Sequence, residues 1–345
     1  MKKLILILLI LLVFIFTFTM AAHAGKLATL PGHLVPNALA VSDDYFYITE
    51  NSTIYVYSLK DFKLVKKFGK KGEGPGEFKG MPTLTVCADR LMVNSTGKVS
   101  FYTIDGTYLK EFNNIASGHT FNPLGSRFIG RNSLPDKKGQ LWATINIYDS
   151  SFNKVKEIYR QESITKIGKG WQLFSRTYFK YVVCENKILI AGDKDFVIEV
   201  YDLNGTLLPA IKLNYQRVKF TEEHAKKVLE YYRTKPDTRD EYDWWEKNIH
   251  FPDYFPAIRD IFKADNLIYV RTYKEKKNYH EFFIFTASGK LHRQVFLPIA
   301  ASQAKLAYPY MRDSAPFDIK SGKLYQLITG DDKEECELDV YPIEL

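Results

Sequence analysis

The sequence predicts an all-β chain folded as a six-bladed β-propeller, with a helical insertion between blades 4 and 5 and an N-terminal strand that closes the last blade. Three observations predict it. A two-part strand pattern recurs six times along the chain, the sixth copy stops one strand short, and a strand-like segment with no unit of its own stands near the N-terminus.

The first element is a leader. Lys2 and Lys3 precede an apolar run from Leu4 to about Phe18, and the stretch ends in Ala22-His23-Ala24, the charged start, apolar middle and small-residue exit of a cleavable secretory signal. Residues 1–24 are therefore expected to be removed, leaving a propeller domain of residues 25–345 with no membrane span. Retention as an anchor is the competing reading, since the run approaches bilayer length. No cysteine follows the run to carry a lipid. An exported protein, periplasmic or secreted, is expected.

The remaining length suits one large all-β domain. Hydrophobic residues make up 46% and aromatic residues 15% of the chain, enough apolar surface for a large core and more in keeping with strands than with helices or disorder. The net charge of +8 is spread in short groups such as Lys70-Lys71 and Lys276-Lys277, as on a solvated basic surface. Export makes nucleic acid an unsuitable partner, while anionic glycans or a membrane face stay compatible with the charge. Three cysteines are too few for a disulfide framework in an exported chain. Cys87 and Cys184 occupy equivalent places in different units and read as small core residues. A monomer is expected.

The repeat opens with a polar turn and an alternating apolar strand. It appears at Asp43-Asp44-Tyr45-Phe46-Tyr47-Ile48, Ala88-Asp89-Arg90-Leu91-Met92-Val93, Gly125-Ser126-Arg127-Phe128-Ile129, Glu185-Asn186-Lys187-Ile188-Leu189-Ile190, Ala264-Asp265-Asn266-Leu267-Ile268-Tyr269 and Ser321-Gly322-Lys323-Leu324-Tyr325. Its second part is a strand ending in an aromatic (Tyr57, Tyr102, Tyr148, Tyr201, Phe285, Tyr341), a short polar turn such as Asp105-Gly106, and another alternating strand. Each unit is thus a four-stranded meander. The aromatics recur at blade length except across the gap from Tyr201 to Phe285. There, over about residues 215–254, the period becomes helical: Thr221 can cap, Glu222 and Glu223 suit a first turn, and Ala225, Val228, Leu229 and Tyr232 share a face. A second helix from Asp240 to about Asn248 groups Tyr242, Trp245 and Ile249; a hidden seventh blade is the alternative. The last unit ends after its third strand, and Lys26-Leu27-Ala28-Thr29-Leu30-Pro31 has the character of the missing fourth. Pairing the two would leave the ring without an open edge.

The segment Phe68-Gly69-Lys70-Lys71-Gly72-Glu73-Gly74-Pro75-Gly76-Glu77-Phe78 resembles the inter-blade linker of NHL-repeat propellers, and Phe255-Pro256-Ala257-Ile258-Arg259-Asp260-Ile261 resembles the late blade of bacterial exported propellers of the NHL and TolB-like group. That resemblance implies a superfamily of scaffolds, binding modules and enzymes, so it fixes no reaction. Its enzymes gather metal ligands from inner strands around the central channel. The residues at corresponding strand starts here are Asn37, Asn122, Asp260 and Asp318, a set also expected simply because strands begin in polar residues.

The glycine string lacks the strand-to-helix setting and terminal Lys-Ser or Lys-Thr of a phosphate loop. No Ser-His-Asp set can be nominated. His119 lies in a linker near the presumed channel mouth, where a base or ligand would sit, although a lone loop histidine has no need of a role. Asn51, Asn94 and Asn204 fit the glycosylation pattern and read as turn residues. The most informative feature is aromatic crowding in linkers and second-to-third-strand loops, which share one face of a propeller: Trp171, Trp244, Trp245, Tyr254 and Tyr310, with Arg131 and Arg312 nearby in sequence. Such rings can stack on a sugar or grip a peptide, or they can fasten the insertion to the disc. These features predict an exported, non-catalytic binding or scaffold module for a protein or glycan partner, with no cofactor. A calcium-dependent hydrolase or lyase at the channel mouth is the alternative.

Overall fold

The computed structural model describes residues 25–33, 35–113, 115, 120–138, 140–162, 166–167, 170–174, 180–192, 195–236, 238–302, 309–310, 314–329 and 335–345, with side chains omitted for Leu134, 166–167 and 170–172. Six four-stranded antiparallel sheets follow one another, written here from inner to outer strand. Blade 1 is Ala38–Val41, Tyr45–Glu50, Thr53–Ser58 and Leu64–Phe68, and blade 2 is Thr83–Val86, Arg90–Ser95, Lys98–Thr103 and Tyr108–Asn113. Blade 3 is Thr120–Leu124, Arg127–Pro135, Leu141–Tyr148 and Lys154–Glu162, and blade 4 is Tyr181–Cys184, Lys187–Ala191, Val197–Asp202 and Leu207–Lys212. Blade 5 is Asp260–Ala264, Leu267–Lys276, Tyr279–Thr286 and Leu291–Pro298; blade 6 is Phe317–Lys320, Lys323–Thr329, Glu335–Pro342 and, from the other end of the chain, Gly25–Pro31.

The ring follows from strand alternation. Successive side chains of a strand point to opposite faces of its sheet, so Phe46 and Ile48 enter the core between blades 6 and 1 while Tyr47, between them in sequence, enters the core between blades 1 and 2. Six such cores, each built from two neighbouring blades, run around the disc. The repeated aromatics Tyr57, Tyr102, Tyr148, Tyr201 and Phe285 are buried in them, whereas the outer strands carry the exposed apolar residues Leu64, Val65, Leu109, Val155 and Leu207. First turns take left-handed backbone where the sequence places Asp265-Asn266 (φ 49° and 62°) and Ser321-Gly322 (φ 51° and 64°), as two-residue hairpins require.

The seam closes blade 6. Gly25 pairs with Val340, Ala28 with Leu338 and Leu30 with Cys336, and Leu30 is 1% exposed in the core shared with blade 1. Behind it, buried His33 lies between Glu50 (Nδ1 to Oε2, 3.1 Å) and Tyr57 (Nε2 to OH, 2.7 Å), and the Val35 N–H donates to the other Glu50 oxygen at 2.6 Å. The linker after the closing strand is thereby fastened to blade 1.

The long gap holds helix α1 (Glu222–Thr234), a 3-10 turn (Arg239–Glu241) and helix α2 (Tyr242–Asn248), between blades 4 and 5 rather than a seventh blade. Thr221 opens α1, and three residues on His224 accepts the Thr221 N–H on Nδ1 at 2.9 Å. A short three-stranded sheet joins Lys166–Ile167, Gly170–Gln172 and Ile249–His250, so Ile249 leaves the second helix for a strand. Cys87, Cys184 and Cys336 are all free. Asn94 corrects one expectation. It lies in a strand, not a turn, is 5% exposed, and exchanges two hydrogen bonds with the Phe121 backbone, so it bridges blades 2 and 3 and is closed to a glycan.

Candidate partner-binding face

Three consecutive linkers build a cap on the linker face. Leu173 and Phe174 come from the linker between blades 3 and 4, Phe220, Val228, Tyr232, Ile249 and Phe255 from the insertion, and Tyr310 from the linker between blades 5 and 6; Tyr273 of blade 5 joins them in one apolar cluster. Helical spacing explains α1's part in it, since Ala225, Val228, Leu229 and Tyr232 fall on one face. Tyr232 stacks on Trp245 with centroids 4.2 Å apart at 13°, and Phe255 stacks on Tyr273 at 4.6 Å and 21°. His224 meets Phe255 and Tyr310 edge-on, and burial, aided by Lys227, holds its pKa below the usual imidazole range. Neutral His224 suits the Nδ1 acceptor role at the start of α1.

Two cap aromatics face outward. Trp244 is 41% exposed and stands perpendicular to Trp245 (5.1 Å, 90°), while Tyr254 is 44% exposed with the Arg217 guanidinium 5.2 Å from its ring centre. The sequence set thus divides. Trp245 and Tyr310 hold the cap together, and Trp244 and Tyr254 are presented on it. The backbone of Trp171 pairs with Ile249 beneath the cap, its side chain being outside the described residues, as are His119 and Arg312. Arg131 lies in blade 3 opposite Thr120, where its charge bears on Tyr181 of blade 4.

A buried charged network underlies the cap. The Arg259 guanidinium lies 5.4 Å from the Tyr273 ring centre and 3.3 Å from Glu275. Arg271, 1% exposed, donates to Ser314 Oγ at 2.8 Å and approaches His280 Nδ1 at 2.8 Å, while His280 Nε2 lies 3.2 Å from the Ile299 carbonyl. Burial acts to raise the pKa of Glu275, but its bond with His280 and the charges of Arg259 and Arg271 outweigh that and keep it low. The network ties blade 5 to the linker that follows it. The sequence carries one signal of it: Arg271 directly follows the apolar run Leu267-Ile268-Tyr269-Val270 of the second strand. Arg217 carried no comparable signal.

The strand-start residues are each committed to a neighbour. Asn37 Oδ1 accepts the Asn51 N–H at 2.7 Å. Asn122 accepts from Thr85 Oγ1 at 3.3 Å and donates to Tyr181 OH at 2.9 Å, a chain of bonds across blades 2, 3 and 4. Asp260 pairs with Lys180 at 3.2 Å, and Asp318 accepts the N–H groups of Val41 at 2.7 Å and of Ile319 at 2.8 Å. These bonds tie neighbouring strands and turns together. Among the described residues no three His, Cys, Asp or Glu side chains gather as a metal site, and no helix is long and apolar enough to cross a membrane.

No family model and no curated protein matches the sequence. Among solved structures, a putative exported protein from Bacteroides fragilis is 14% identical, covering 94% of this chain and 97% of its own with a TM-score of 0.48. The Pan2 WD40 domain of Neurospora crassa is 10% identical, covering 90% of each chain with a TM-score of 0.47. Neither likeness bears on what this chain binds.

Proposed function

We propose that the chain is an exported, non-catalytic propeller of the NHL and TolB-like kind, released from its leader after Ala24, that holds a protein or glycan partner on its linker face through the helical cap. The observation that carries this reading is the pair Trp244 and Tyr254, two half-exposed rings, one braced by Trp245 and the other faced by Arg217. Rings already held in place lose little freedom on binding, and covering the rest of Trp244 would release on the order of 2 kcal/mol. The arrangement suits a sugar face or an extended peptide, against which a ring can lie flat and a guanidinium can donate.

The test is capture on a glycan array and from the native extracellular fraction, comparing the unaltered protein with Trp244→Ala/Tyr254→Ala. Trp245 is left intact because its loss would loosen the cap itself. The double variant is expected to lose roughly tenfold or more in affinity for whatever the parent retains. Identical capture by both proteins would remove the cap as the contact surface.

A further inference from the structure

The glycine-rich linker between blades 1 and 2 forms one wall of a second concavity on the linker face. It is an open groove of about 510 Å³, bounded by the turn Asn51–Thr53 of blade 1 and by Lys70, Lys71 and Lys79 from the two arms of the linker. We propose that this groove binds an anionic polysaccharide, whose carboxylate or sulfate groups meet the three lysines.

The linker is held in shape from beneath. Phe78, wholly buried, donates its N–H to the Lys70 carbonyl at 2.8 Å and accepts from the Gly72 N–H at 3.1 Å, joining the two arms. Buried Lys98 donates to the carbonyls of Gly74 and Glu73 at 2.7 and 3.2 Å and pairs with half-buried Glu111 at 3.3 Å, while Glu111 accepts the Gly76 N–H at 3.2 Å. The charge of Lys98 is used internally and does not reach the groove. The backbone from which the three rim lysines spring is thereby fixed, so a ligand has to order the lysine side chains but not the linker.

Two rim lysines already have acidic neighbours, Lys70 with Glu77 and Lys79 with Glu73, both at 3.0 Å. Lys70 and Lys79 are 76% and 47% exposed, and exposed pairs of this kind contribute at most about 1 kcal/mol, so a multivalent anion can displace them. Glu77 is engaged by the Gly74 N–H at 2.8 Å, and that bond, followed by Lys70, holds its carboxyl below the usual range. Lys71 is exposed on the same rim.

The rest of the lining selects the kind of anion. Exposed Asn51 brings an amide of the sort that meets sugar hydroxyls, the Ser52 and Thr53 hydroxyls are spent on the Gly80 and Gly69 carbonyls at 3.1 and 3.4 Å, and Met81, 62% exposed, is the apolar side chain at the rim. A peptide held side chain by side chain needs pockets for its anchors, and Met81 is the sole apolar side chain in this lining. The proposal shares the linker face with the reading above but uses no residue of the cap.

The test is titration calorimetry of the purified protein with a sulfated oligosaccharide, with polygalacturonate, with neutral dextran, with polyglutamate and with anionic lipid vesicles, over a range of salt. The anionic polysaccharides should bind and dextran should not. K70A/K71A/K79A should weaken binding roughly tenfold or more and flatten its salt dependence. K60A/K63A/K323A, which removes lysines from turns on the opposite face, should leave it unchanged. Equal loss in both triple variants would reduce the effect to general basic charge and overturn the site, as would unchanged binding by K70A/K71A/K79A. Preference for polyglutamate or vesicles would overturn the polysaccharide assignment. Trp244→Ala/Tyr254→Ala should bind these probes like the parent, so failure at the cap and failure at the groove are told apart; loss in that variant would overturn the groove as a separate site.

Discussion

Asp318 shows how one residue can carry both structure and pH response. Burial pushes its carboxyl up to about 6 against the bonds donated by Val41 and Ile319 and the nearby charge of Lys320. A folded-state pKa raised above the unfolded 3.8 means that the protonated form is favoured in the fold. Its stabilising contribution is therefore complete below about pH 4 and is lost as pH rises through about 6, a change on the order of 3 kcal/mol by about pH 8. Chemical denaturation across that window should show Asp318→Asn with a flatter stability curve than the parent. Parallel curves would mean the carboxyl titrates alike folded and unfolded. Gly69 is constrained differently: at φ 83° an added Cβ would fall 2.8 Å from the Ser52 carbonyl oxygen and against the Phe78 ring, so the glycine of the linker motif answers to close approach as well as to backbone.

At the scale of elements, the insertion behaves as a cap with its own core, attached where Phe255 and Tyr310 meet blade 5 and the next linker. Its two adjacent tryptophans have opposite duties. Trp245→Ala removes the stack on Tyr232 and should cost the cap about 2–3 kcal/mol of local stability. Hydrogen exchange would then quicken over residues 222–250 while the blade strands keep their protection. Trp244→Ala should leave exchange unchanged. Exchange that quickened equally in both variants would refute this division. The helical period disclosed both helices and Thr221 the start of the first, but which tryptophan turned inward depended on Tyr232 of α1 lying opposite α2, a contact between helices that spacing within either one does not encode.

At the scale of the molecule, stability rests on the seam. The closing strand pairs along Glu335–Val340 and contributes Leu30 to the core between blades 6 and 1. Starting the chain after Pro31 would leave a strand edge open and that core exposed, costing on the order of 3–5 kcal/mol and inviting edge-to-edge association. A lower thermal midpoint with increased light scattering is expected, and a peptide of residues 25–31 added in trans should restore part of the loss. A truncated chain as stable as the parent would show that the ring holds without its clasp.

The strand repeats, the short sixth unit and the unassigned N-terminal segment were enough to determine the number of blades and the manner of closure. Alternation, turn residues and helix period are local physics, written in neighbouring residues. What only the tertiary structure decided was which side chains from distant linkers meet. It sent Trp245 inward and Trp244 outward, placed Arg131 near Tyr181, set Asn94 in a buried strand, and gave Asn37, Asn122, Asp260 and Asp318 their partners on neighbouring strands and turns. It also put the charges of Arg259, Arg271 and Glu275 under an aromatic roof. Loops carry no period, and their neighbours are set by how the blades stand around the axis, so their contacts exist only once the ring has closed.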